Sequence, residues 1–414
     1  MTAMKNIVLF IFCILIINGC ITKEDKLFKK HEAALTNIHF NNKVIENDSV
    51  NPIDLEFLYN GGGIAAGDFN NDGLTDLYFT ASEVSNKLYL NKGNFEFSDV
   101  TDIAMVSGEG MWSNGASVVD INSDGLQDIY VCMAIKKDPH QRRNLLYVNQ
   151  GADKNGVPVF RELAKEYNVA DTGFSVQGAF FDYDNDGDLD LYVVETKLVQ
   201  RNVAELSGRN PGEVARADAD KLYRNDWNDS LKHPVFTDVS LQAGIKEPGY
   251  GLGLSIADIN NDGLEDFFIC GAAGQAGNLF LQQNNHRFRP TLQPAFQNDS
   301  AAEDVHAAFF DADADGDNDL YVVSGGGEYC GKETVLLDRL YINDSKGHFT
   351  KSNRLPLFYG NKSVVVPIDF DRDNDMDVFV GGRVDACSYG RIPDSYLLIN
   401  DGTGRFSLAS FGLP

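Results

Sequence analysis

The sequence predicts an all-β fold, a β-propeller of four-stranded blades, and three observations predict it. A nine-residue acidic motif occurs six times: DFNNDGLTD from Asp68, DINSDGLQD from Asp120, DYDNDGDLD from Asp182, DINNDGLED from Asp258, DADADGDND from Asp311 and DFDRDNDMD from Asp369. The starts lie 52 to 76 residues apart, a spacing that marks a solenoid, propeller or array. Short runs rich in Val, Ile, Tyr and Phe flank every copy, separated by Gly, Asn and Asp, which is the pattern of strands and turns.

Each copy supplies four such runs. Around the first they are GIAAGD, DLYFTA, KLYLN and FEFSDV; around the third, VQGAFF, DLYVVE, KLYRND and VFTDVS. We name them strands A to D, with the acidic loop joining A to B. Radial repetition of four-stranded sheets leaves only short protected edges, and a sandwich lacks this recurrence. Six complete units run from Gly62 to Ser410. A seventh blade is left open by the sequence, as is an extra outer strand at NIHFNNKV from Asn37. Antiparallel connectivity puts all six acidic loops on one face with the C–D turns. The longer B–C and D–A loops share the second face. Blade three has the largest B–C insertion, Glu195 to Asp220, where the Leu, Val and Ala spacing suggests a short helix over that face.

The chain has 414 residues and a formal net charge of −26, which argues against nucleic-acid binding, since that needs a basic footprint. Lys5 precedes the apolar run Ile7 to Ile17, too short to span a bilayer, which takes about 20 residues, but suited to a signal-peptide core. INGC, ending at Cys20, resembles the lipobox of bacterial lipoproteins, and Lys23-Glu24-Asp25 resembles the export tag of some surface lipoproteins. The expected organisation is a signal peptide over 1–19, a lipid-anchored linker and first strand over 20–60, and the propeller over 61–414. The expected location is the outer membrane or cell surface of a Gram-negative-type bacterium, with lipidation at Cys20. Cys132 and Cys270 fall on buried strands of non-adjacent repeats and read as packed thiols. Cys330 and Cys387 occupy matching loops of consecutive repeats. An exported protein can oxidise such a pair, and the spacing leaves bridge and free thiols both open.

Oxygen ligands at alternate positions suit a hard cation. Ca2+ takes roughly six to eight of them, and Gly at position six permits the tight turn. The expected ligands are the side chains at positions 1, 3, 5 and 9 with the carbonyl of position 7. They are Asp68, Asn70, Asp72, Leu74 and Asp76 in the first loop, and Asp120, Asn122, Asp124, Leu126 and Asp128 in the second. The third uses Asp182, Asp184, Asp186, Asp188 and Asp190; the fourth, Asp258, Asn260, Asp262, Leu264 and Asp266. The fifth uses Asp311, Asp313, Asp315, Asp317 and Asp319; the sixth, Asp369, Asp371, Asp373, Asp375 and Asp377. No Cys or His lies inside any loop, which disfavours zinc. Asn374 replaces the glycine of the sixth loop, and Asn is the next-best residue for a left-handed conformation.

The loops with their flanking strands resemble FG-GAP, or VCBS, repeats like those of integrin α-chain propellers. NGGGIAAGDFNNDGLTDLYFT followed by NKLYLNKGNFEFSDVT is closer still to bacterial VCBS-repeat proteins related to cartilage acidic protein. The resemblance covers roughly Asn60 to Ser410. It implies a β-propeller with calcium in the loops and says little about ligand, because propellers host many functions.

Function is therefore sought on the second face. Trp112, Phe174 and Tyr250 each lie eight residues before the first Asp of a loop, a register that places rings near the central mouth. Packing at the strand entry is the plainer explanation. Lys136, Lys137, His140, Arg142 and Arg143 in blade two, with Arg383 and Arg391 in blade six, supply cations for an anion site such as an acidic glycan, or are ordinary surface charges. No nucleophile, zinc-protease or phosphate-loop motif occurs, and His306 reads as a packed residue. The expectation is a calcium-binding surface module for glycans or proteins rather than an enzyme, with a polysaccharide lyase or hydrolase as the alternative.

Overall fold

The computed structural model describes residues 28–409 apart from 49, 52–54, 56–57, 137, 197–218, 247–250, 328 and 389. The signal sequence, Cys20, the proposed insertion helix and Tyr250 lie outside the described residues. Six four-stranded antiparallel sheets follow one another along the chain, each in the order A-B-C-D. Blade one comprises Ile64–Gly67, Asp76–Phe79, Lys87–Asn91 and Phe97–Asp99; blade two, Ser113–Val119, Asp128–Met133, Leu145–Ala152 and Pro158–Glu162. Blade three comprises Ser175–Phe181, Asp190–Glu195, Lys221–Arg224 and Thr237–Asp238; blade four, Leu254–Ala257, Asp266–Ile269, Asn278–Gln283 and Arg287–Thr291. Blade five comprises Asp304–Phe310, Asp319–Ser324, Arg339–Ile342 and Thr350–Lys351; blade six, Asn361–Ile368, Asp377–Val384, Tyr396–Asn400 and Phe406–Leu408. The fold is a six-bladed β-propeller.

Register is the same in every blade. The last residue of strand A faces the ninth residue of the acidic motif, as in Gly67 with Asp76, Val119 with Asp128 and Ile368 with Asp377. Strand B is the most enclosed: every residue of Asp128–Met133, Asp190–Glu195 and Asp319–Ser324 is buried. A strand covered on both faces reads as a continuous apolar run, as these do. Five apolar clusters then join consecutive blades, with Tyr78, Tyr130, Tyr192, Phe268 and Tyr321 among their largest members.

The seam between blades six and one is built differently. Phe28 stacks on Phe370 of blade six at 5.7 Å, and Phe40 packs on Phe79 of blade one at 5.0 Å. Phe79 lies on the face of its sheet opposite Tyr78, away from blade two, because strand residues alternate. Asn42 then exchanges hydrogen bonds with Ser82 in the B–C loop. Residues 28–45 thus pass from the acidic-loop face to the second face between the first and last blades. The outer strand left open from Asn37 does not form: this stretch has no regular secondary structure and is held by side chains rather than by a backbone ladder.

Cys330 and Cys387 form a disulfide, Cα to Cα 5.5 Å, across the B–C loops of blades five and six. Cys132 and Cys270 are free and buried. No helix among the described residues is long and apolar enough to cross a membrane.

Candidate functional site

Each acidic loop is first of all a hydrogen-bonded turn. In loop one the Asp68 carboxylate accepts from the backbone N–H of Asp72 and Gly73, at 3.0 and 2.8 Å. Asp120, Asp182, Asp258 and Asp311 do the same in loops two to five. Position six has φ between +81° and +96° in the five glycine-bearing loops, and Asn374 adopts +73° in the sixth. Here the glycine is required, since other residues enter this region at a cost. Position four is left-handed as well, at Asn71, Ser123, Asn185, Asn261, Ala314 and Arg372, and its varied side chains hide this in the sequence. Loop six departs from the others: Asp369 accepts from Arg372 at 2.7 Å, one position earlier.

The ninth-position carboxylate is the brace of the blade. Asp128 is fully buried, and its two oxygens accept from Ile121 and Asn149, at 3.0 and 2.7 Å. It thereby ties the loop entry to strand C, and Asp76, Asp190, Asp266, Asp319 and Asp377 repeat the arrangement. Burial, with a smaller contribution from neighbouring carboxylates, pushes Asp128, Asp190, Asp266 and Asp319 up to about 7 and Asp76 to about 6, against the two backbone donors that lower them.

Could a cation sit among these groups? Carboxylate oxygens of Asp182, Asp184 and Asp190 lie within 4.8 Å of one another, as do those of Asp311, Asp313 and Asp315, and of Asp369, Asp371 and Asp373. In loops three and five, one buried oxygen each of Asp184, Asp188, Asp313 and Asp317 has no hydrogen-bond partner among the described residues. Orphaned acceptors of this kind ask for an explanation, and a hard cation is one that fits an all-oxygen donor set. In loops one, two and four the Asn at position three donates its amide to the carboxylate at position five, so its oxygen must turn inward to ligate.

The second face sorts the remaining candidates. Trp112 is only 3% exposed and packs against Leu58, Ala134 and Ile135, with the Lys136 ammonium 5.9 Å from its ring centre. It is a core residue, not a stacking platform. Arg143 pairs with Glu162 at 2.8 Å, and Arg383 bonds the Asn60 side chain at the central mouth. Arg391 stays mostly exposed beside Asp385. His306 is half-buried near the same mouth, and desolvation pushes its imidazole down. Arg142 and Phe174 do come together: the guanidinium lies 3.9 Å over the ring, while its Nε donates to the carbonyls of Thr172 and Gly173. They border a cleft of about 720 Å3 between blades two and three.

A family model described as FG-GAP-like repeat matches residues 68–131, 258–322 and 311–380, so that the matched spans begin at acidic loops one, four and five. The chain carries FG-GAP-like repeats. Cartilage acidic protein 1 of Mus musculus is 24% identical over 232 residues, 55% of this chain and 31% of that protein. The Xenopus tropicalis form is 26% identical over 213 residues, 51% and 29%. The chain thus spans about a third of the length of these relatives. Among solved structures, AofleA from Arthrobotrys oligospora aligns with a TM-score of 0.43 at 11% identity, covering 88% of this chain and 89% of its own. The V. cholerae biofilm matrix protein Bap1 aligns at 0.37 and 14%, covering 73% and 40%.

Two features of the FG-GAP-like propeller escape sequence reasoning. The cleft beside Phe174 also holds Lys165, Lys221, Tyr223 and Asp171, with Asp171 accepting from Lys221 at 3.4 Å and from the Tyr223 hydroxyl. Behind it stands Glu195, fully buried, one oxygen bound by Ser175 at 2.8 Å and the other without a partner among the described residues. Burial, then the nearby Asp171, holds the Glu195 carboxyl well above the usual range. The second feature is an amide staple: Asn149, Gln282, Asn343 and Asn400 each donate to the position-two carbonyl of the preceding blade's acidic loop. Its signal was present, as the Asn or Gln that closes strand C.

Proposed function

We propose that this is a calcium-stabilised, lipid-anchored propeller, displayed at the outer surface of a Gram-negative-type bacterium, whose second face binds acidic glycans. The observation that carries the ligand class is the cleft between blades two and three. There Arg142 stacked on Phe174, with Lys165 and Lys221, gathers cationic and aromatic surface in a chain of net charge −26. An aromatic face suits the C–H side of a sugar ring, and a guanidinium suits a carboxylate or sulfate. The acidic loops serve as support: calcium would be held by the side chains at positions 1, 3, 5 and 9 with the position-7 carbonyl, neutralising charge at the A–B turns. The orphaned position-three oxygens of Asp184 and Asp313 support this reading.

The test is retention of the protein by immobilised acidic polysaccharides, in calcium and in chelator, with reducing and unsaturated ends assayed together. Retention without new ends, lost in Arg142→Ala and Phe174→Ala, is the expected result. A folded, calcium-loaded protein that no polysaccharide retains overturns the glycan reading and directs the search to a protein partner. Cleavage is a second reading because of one observation, the fully buried Glu195 behind the cleft, bound by Ser175, whose carboxyl burial and the nearby Asp171 hold well above the usual range. A proton-holding acid next to a second carboxylate is the pairing that glycosidic cleavage uses. New ends that vanish in Glu195→Gln would establish it.

A further inference from the structure

We propose that the disulfide-tied cavity between the B–C loops of blades five and six is a separate binding site for one or two neutral sugar rings. It deepens the glycan reading of the second face, yet stands on residues of its own. The cavity measures about 310 Å3, at the small end of ligand sites, and the Cys330–Cys387 bridge spans its two loops. A covalent tie across two blades fixes both walls before any ligand arrives, which is the basis of preorganised binding.

Its polar groups specify the ligand. Lys362 at the base is 1% exposed, pairs with Asp338 at 3.1 Å and donates to the Leu336 carbonyl. That charge is already matched and offers nothing to an anion. Asn361, on the same strand, is 3% exposed; its amide nitrogen donates to the Tyr329 carbonyl at 3.3 Å, while its oxygen has no partner among the described residues. A buried acceptor with no donor calls for a donor from outside. Asp394 adds a second acceptor to the lining. Arg391 is held to Asp385 at 3.4 Å with its side chain 64% exposed, so it can donate to a ring or hydroxyl oxygen without bringing unbalanced charge. Ile392, 86% exposed, offers an apolar edge for the C–H face of a sugar. An excess of acceptors, cations already paired, an apolar edge and this volume together describe a hydroxyl-rich ring better than an anion or a peptide.

The experiment uses the oxidised protein in calcium and saturation-transfer NMR with a panel of methyl hexosides and neutral disaccharides at millimolar concentration. Transfer to at least one sugar is expected, with affinity falling about tenfold or more in Arg391→Ala and in Asp394→Asn, both outside the packed core. Asn361→Leu should abolish transfer; its melting temperature reports whether the fold survives, and the two rim variants carry the test if it does not. Arg142→Ala should lose acidic polysaccharide and keep the neutral sugar. No transfer from any sugar of the panel overturns the proposal. So does a sugar that is lost with Arg142→Ala and kept with Arg391→Ala, and that result leaves the acidic-glycan reading standing.

Discussion

Replacing Cys330 and Cys387 together by serine removes the covalent tie between blades five and six, and its worth follows from the chain it closes. The cysteines are 57 residues apart. Loop closure of that length removes about 14 cal/mol/K from the unfolded ensemble, or about 4 kcal/mol at 25 °C. Spread over about 350 described residues, at about 2.1 cal/mol/K of unfolding entropy each, that corresponds to a melting temperature lower by about 6 °C. Urea unfolding in calcium, followed by circular dichroism, compares the oxidised wild type with the double variant. Mismatched bridges are avoided by unfolding at about pH 6, where the free thiols Cys132 and Cys270 stay protonated once exposed, because exchange requires thiolate and a free thiol ionises near about 8.5. The expected outcome is a lower midpoint with a larger urea dependence, since the uncrosslinked chain exposes more surface when unfolded. A double variant within about 1 kcal/mol of wild type would refute the reasoning, by showing that the blades are held in register before the bridge can matter.

Removal of calcium should lower the melting temperature sharply. At free calcium about a hundredfold above the dissociation constant each occupied loop contributes about 2.7 kcal/mol, and identical melts in calcium and chelator would exclude the metal. In chelator, stability should rise as pH falls from about 7 towards the ordinary carboxylate range. Asp128, Asp190, Asp266 and Asp319, raised to about 7 in the fold, bind protons that the unfolded chain does not, so their contribution is present at low pH and lost as pH rises through about 7. Calcium should flatten or invert that slope, because it binds the ionised form; a chelated protein that weakens steadily from pH 7 to 5 contradicts the assignment. Phe40→Ala should cost about 1–2 kcal/mol for a half-buried ring and speed proteolysis of residues 28–45, with unchanged cleavage arguing that the seam closes without them. Trp112→Ala should cost about 3–5 kcal/mol in urea unfolding while leaving polysaccharide retention per folded molecule intact.

The repeat was legible because its determinants are local. Asp at position 1 and Gly at position 6 act within one turn, Asp at position 9 within one blade, and strand B announces itself as an apolar run directly after the ninth residue. Asn374 could be read as a glycine substitute because left-handed backbone favours only a few residue types, and its φ is +73°. What failed depended on distant chain. Trp112 has the right register for the central mouth, but Leu58 covers it from the N-terminal segment. Arg143 reads as a cation for an anion site or an ordinary surface charge, and strand D of its own blade presents Glu162 to it. The NIHFNNKV stretch has strand composition, yet the seam gives it side-chain partners, Phe79 and Ser82, instead of a ladder. Asp171 and Glu195 carried no motif, since a bend and a strand of different spacing bring them together.

The ninth-position aspartate explains how support and recognition can share a blade without sharing residues. Each of its oxygens accepts one backbone N–H, and a carboxylate oxygen retains capacity for another partner. A cation drawing on Asp190 therefore pulls at once on the loop entry through Tyr183 and on strand C through Asn225. The effect is to stiffen the blade rather than only its turn. The B–C loops leave the far ends of strands B and C, about 15–20 Å away for strands of this length. None of the proposed cation ligands lies in them, and they differ from blade to blade in length, charge and cross-linking. Calcium should accordingly govern binding through the order of the blades and not through contact with the ligand. A variant that weakens one acidic loop should then lower retention in proportion to the folded fraction, while Arg142 and Arg391 determine which ligand is retained.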